Sequence, residues 1–70
     1  MNVQKLNAAA ALKGLSNLDL AKRLDLSNQA FYNKLNGKTE FKNSEILRLS
    51  QILALSLDAV NDIFFDGILK

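Results

Sequence analysis

Seventy residues leave room for one domain with one small core, and a chain that is 49% hydrophobic and 23% charged is balanced for a packed globule rather than for disorder. The absence of cysteine and histidine removes disulfides, the usual zinc ligands, thiol nucleophiles and imidazole bases, so helix packing must hold the core and no enzyme, metal or cofactor is expected. The net charge of +2 is unevenly spread: residues 1–42 carry seven bases against three acids, a balance of +4, and residues 43–70 carry two against four, a balance of −2, so the first part suits a polyanion, although an ordinary solvated surface gives the same pattern.

Without proline, with three glycines and few β-branched residues, the chain reads as all-α, in five short helices. The first runs from residue 3 to 13 and closes at Gly14, where a left-handed residue carries no Cβ penalty. Ser16 caps the second, which extends to about residue 24, with Asp19 completing part of a capping box. Ser27 caps the third, over residues 28–35, and the dipeptide Asn36-Gly37 turns the chain out into a loop over 38–42. The fourth, over 43–54, buries Ile46, Leu49, Ile52 and Leu53, and the fifth follows Ser56 and carries Val60, Ile63 and Phe64. No apolar run approaches the roughly 18 residues that cross a bilayer, and the N-terminus lacks the pattern of a signal peptide, which predicts a cytoplasmic protein with no membrane contact.

The stretch GLSNLDLAKRLDLSNQAFYNKLNGK (14–38) sets two capped helices only about three residues apart, which is helix-turn-helix spacing. So short a turn forces a steep crossing, with Ala21 as the small residue at the contact and Leu20, Leu24, Leu26, Phe31 and Leu35 closing over it. Asn28, Gln29, Tyr32 and Asn33 are then left pointing outward. Asn and Gln pair bidentately with adenine N6 and N7, and a face without acids does not repel phosphates.

On these residues the chain resembles the Cro/repressor-type (XRE-like) helix-turn-helix family of temperate phages and bacterial regulators, along nearly its whole length of 1–70, with the helix-turn-helix over about 16–36. The stretch SNQAFYNKLNGKTEF and the ending LSLDAVNDIFFD are similar to small Cro-like and antirepressor proteins of phages of Gram-positive bacteria. The resemblance implies a lambda-repressor-like fold whose third helix lies in the major groove, while backbone N–H groups at the start of the second helix and after the third hold phosphates. It puts Asn28, Gln29, Tyr32 and Asn33 on base-contacting positions, and Asn17, Asn36, Gly37, Lys38 and Lys42 on phosphate-contacting ones. Three features depart from the pattern. Asp25 replaces the turn glycine; Ala10 and Leu35 replace a buried Arg-acid pair; and Lys34 takes a place usually held by a large apolar residue.

Plainer roles stand beside these. Tyr32 reads a thymine methyl, lies along phosphate and sugar, or folds back over Phe31 as core. Leu18 and the apolar ending Phe64, Phe65, Ile68 and Leu69 are candidates for protein contact, among them a two-fold dimer on DNA; the alternative is that Phe64 finishes the core and the end frays. Two functions follow: a sequence-specific regulator of a lysis/lysogeny-type switch that binds a double-stranded DNA operator, or a modulator on the same fold that binds a phage repressor.

Overall fold

The computed structural model describes residues 1–67, which form five helices and no strand: α1 (Val3–Leu12), α2 (Asn17–Arg23), α3 (Asn28–Leu35), α4 (Asn43–Ile52) and α5 (Leu57–Phe64). Four of them start where a short polar side chain accepts a backbone N–H that the first turn leaves unpaired. Asn2 accepts from Lys5, Ser16 from Asp19, Ser27 from Ala30 and Ser56 from Ala59, at 3.0 to 3.2 Å. At α2 the capping box is complete, because Asp19 also accepts the Ser16 N–H at 2.8 Å. α4 starts differently: Lys42 has no acceptor to offer, and Glu45 reaches back to take the Lys42 N–H at 2.8 Å.

The helix ends share one design. After α1, α2, α3 and α4 the chain enters the left-handed region at Gly14 (φ 69°), Asp25 (56°), Gly37 (80°) and Ala54 (51°). In each case that residue's N–H bonds one carbonyl of the last turn and the next residue's N–H bonds a carbonyl five back, as in Leu15 to Ala10, Leu26 to Ala21, Lys38 to Asn33 and Leu55 to Ser50, at 2.8 to 2.9 Å. This accounts for the helix end that falls furthest short of the sequence expectation: α4 ends at Ile52, and Ala54 is the left-handed residue beyond it. α1 and α2 each stop one residue earlier than the sequence predicts, with Lys13 and Leu24 as caps.

The core is built from Leu6 and Ala10 of α1, Leu20, Ala21 and Leu24 at α2, Phe31 and Leu35 of α3, Leu49 and Leu53 at α4, and Ile63 of α5. α2 packs on α3, and α1 and α4 pack on α5; the Asn2 N–H also donates to the Ile63 carbonyl, joining the two ends of the fold. Ala21 is 1% exposed at the α2 and α3 contact, with Leu26 half-buried beside it, so a small residue is what lets the two helices approach. Ala10 and Leu35 are both buried and both apolar, so no charge is left without its partner there. Ile46, Ile52, Val60 and Phe64 are half-buried at the edge of the core rather than inside it. Among the described residues the buried charged side chain is Glu45, 9% exposed. No helix of the described residues is long and apolar enough to cross a membrane.

Candidate nucleic-acid interface

α3 is eight residues long with a buried stripe, Phe31 and Leu35, and an opposite face made of Asn28, Gln29, Tyr32 and the half-buried Asn33. Tyr32 is 52% exposed, so its ring stands out from the helix rather than folding over Phe31. The Gln29 side-chain amide donates to the Asn33 side-chain oxygen Oδ1 at 3.0 Å, one helical turn away. That bond ties the two amides into one unit and leaves the Gln29 oxygen and the Asn33 amino group to make further bonds. No acid lies in the first turn of α3, and the helix contains none. Asp25, in the turn before it, adopts the left-handed conformation, at the place where the resemblance implies a turn glycine.

α3 is held at its C-terminal end by Lys34. Its ammonium is 2.8 Å from the Glu45 carboxylate, donates to the Glu40 carbonyl at 3.1 Å, and sits 5.8 Å from the centroid of the Phe41 ring, with both charged side chains about 10% exposed. Lys34, at the place where the resemblance implies a large apolar residue, is therefore buried with an acid, and Leu35 is buried beside it. Burial pushes the Glu45 carboxyl up, but hydrogen bonds from Lys34 and the Lys42 N–H, with both lysine charges, outweigh it and hold the group below the usual range. Phe41 in turn meets Phe31 and Phe64 edge-on, at 5.9 and 5.8 Å between centroids. The loop after α3 is thus anchored to the core on one side.

On the other side it carries Lys38. At three of the four left-handed helix ends the residue after the turn is a half-buried leucine, Leu15, Leu26 or Leu55; after α3 it is the exposed Lys38. An apolar anchor gives way there to a charge next to the amide face. The loop's backbone does not offer the phosphate-holding N–H groups that the resemblance implies: those of Asn36, Gly37, Lys38 and Thr39 donate to Tyr32, Lys34, Asn33 and Asn33 carbonyls at 2.9 to 3.3 Å. Gly37 serves the turn, and the side chains that Asn36 and Lys38 carry there are exposed. Lys42 is exposed at the start of α4, with its charge acting on Glu45.

Asn17 and Leu18 begin α2, Asn17 half-buried and Leu18 53% exposed. They meet Asn28, Phe31 and Tyr32 around a surface dent of about 120 Å³, which brings Leu18 beside the α3 face. Phe64 is half-buried against Phe41 at the edge of the core, and Phe65 is half-buried as the cap of α5; Ile68 and Leu69 lie outside the described residues. Sequence reading missed the most exposed apolar side chains, Leu12 and Leu57 at 88% each and Leu47 at 60%. It also missed the Lys34–Glu45 pair. No cluster of metal-binding side chains occurs among the described residues.

The chain belongs to the family of proteins of unknown function DUF739, whose model matches residues 2–67. No curated protein and no solved structure matches it.

Proposed function

We propose that this chain is a sequence-specific DNA-binding regulator of a lysis/lysogeny-type switch, with α2 and α3 acting as a lambda-repressor-like helix-turn-helix and α3 lying in the major groove. The observation that carries the reading is the acid-free amide face of α3, Asn28, Gln29 and Asn33 with Tyr32, bordered by the exposed Lys38. Amides select bases by their paired donor and acceptor, and lysines supply affinity that does not depend on sequence. Asn17, Asn36 and Lys42 are the further phosphate contacts of this reading, which places the protein in the cytoplasm of its host and allows two copies on half-sites about 34 Å apart. Titration of duplex DNA from around its own gene, beside a scrambled duplex and across a salt series, tests it. Preference of a hundredfold or more with a steep salt slope supports operator binding; equal, weak binding of both duplexes overturns it.

The second reading, a modulator that binds a phage repressor, is favoured by the leucines Leu12, Leu18, Leu47 and Leu57, all more than half exposed. It predicts a complex with the neighbouring repressor that loses affinity when these leucines, rather than Gln29, are replaced.

A further inference from the structure

The dent between α2 and α3 interrupts an otherwise amide-lined surface with apolar walls. Its floor is Phe31, 1% exposed; its sides are Leu18 and Tyr32, each about half exposed; and Asn17 and Asn28, the first residues of their helices, stand at its rim. A volume of about 120 Å³ takes a few methyl-sized groups and is too small for a whole nucleotide. A methyl group is close to a water molecule in size, with a share of liquid volume of about 30 Å³, so the dent has room for a methyl and the ring edge that bears it. In the major groove one group has that shape and polarity, the 5-methyl of thymine, and its pairing partner, adenine, presents the N6 and N7 pattern that an amide reads.

We propose that this dent is a thymine-methyl site, and that Leu18, through its contact with the methyl, is a specificity-determining residue of α2 working beside the amides of α3. The inference rests on the reading of α3 as a major-groove helix and names what that helix prefers: an A·T pair set against Leu18 and Tyr32, flanked by a base read by Gln29 and Asn33. It also gives the exposed Leu18 a ligand other than a protein.

The test uses a preferred duplex selected from a randomised pool, in which each thymine is replaced in turn by uracil, which lacks only the methyl. One replacement in each half-site is expected to weaken binding about three- to tenfold, the scale of one buried methyl. Leu18→Ala is expected to weaken binding to the thymine duplex and to bind the uracil duplex equally well, whereas Leu47→Ala, an equally exposed leucine away from the dent, keeps the difference. A preferred duplex indifferent to every uracil replacement overturns the methyl site and leaves the role of α3 intact. The same holds for a thymine preference that Leu18→Ala does not change. If no duplex is preferred over a scrambled one, the reading of α3 and the methyl site fall together.

Discussion

The Lys34–Glu45 pair is the most consequential single contact for how α3 is held, because one ammonium fixes the helix to the carboxylate of α4, to the Glu40 carbonyl and to the Phe41 ring. Replacing Glu45 by Gln leaves a lysine about one-tenth exposed without its counter-charge, and a loss of about 1–3 kcal/mol in a denaturant titration is expected. The pH dependence follows from the lowered Glu45 carboxyl. Its contribution is complete above the ordinary glutamate value of 4.5 and is lost as pH falls through the lower folded value, so Glu45→Gln flattens the acid limb of the stability curve. Asp19, lowered by the Ser16 N–H and hydroxyl, leaves part of that limb in place. On the exposed face the expectations concern binding. Gln29→Ala costs about 1–3 kcal/mol at the preferred duplex and relaxes specificity there. Lys38→Ala weakens all duplexes about equally and reduces the salt slope by about one. The amide face was legible from sequence, since Asn28, Gln29, Tyr32 and Asn33 follow from helical period and a capped start. The ion pair was not, because its partners lie on different helices. The available signal was that each charge sits on a buried stripe, Lys34 three residues after Phe31 and Glu45 four before Leu49.

Helix starts depend on bonds within three residues, and they are the elements that sequence reading located most closely. Ser27 caps α3 directly, and Ser27→Ala should cost about 1 kcal/mol in thermal or chemical unfolding while leaving the amide face in place. Helix ends were harder where the left-handed residue is neither Gly nor Asn. Ala54 has high helix propensity, yet it stands at φ 51° with Leu55 bonded back to Ser50, a conformation decided by how Leu53 and Leu55 pack. Ala54→Gly removes the Cβ penalty of that conformation and should stabilise the protein by about 0.5–1 kcal/mol. In a domain of this size the melting temperature would rise by about 2–8 °C. A fall in melting temperature would mean that the side chain of Ala54 contributes more packing than its exposure implies.

At the scale of the whole molecule, the five helices and the core side chains of α2 and α3 with Leu49, Leu53 and Ile63 were legible, because the period of leucines and the serine caps agree with each other, whereas the Asn2 cap and the burial of Leu6 were not. Which leucines end up outside was legible only in part: Leu47 lies off the stripe of Ile46, Leu49 and Leu53 by helical period, whereas Leu57, three residues before Val60, follows the stripe of α5 and is exposed nonetheless. The charge asymmetry changes in meaning once the fold is known: Lys34 is neutralised by Glu45 and Lys5 lies 3.9 Å from Asp62, so the positive charge of the loop after α3 rests on Lys38 and Lys42, set against the exposed Glu40. Modest affinity that falls with added salt is the expectation for so few cations. Base reading by the α3 amide face is tested by comparing the protein with its Asn28→Ala, Gln29→Ala double variant on a preferred and a scrambled duplex at one salt concentration. The double variant is expected to lose the preference while retaining the scrambled-duplex affinity; an unchanged preference would contradict base reading by α3.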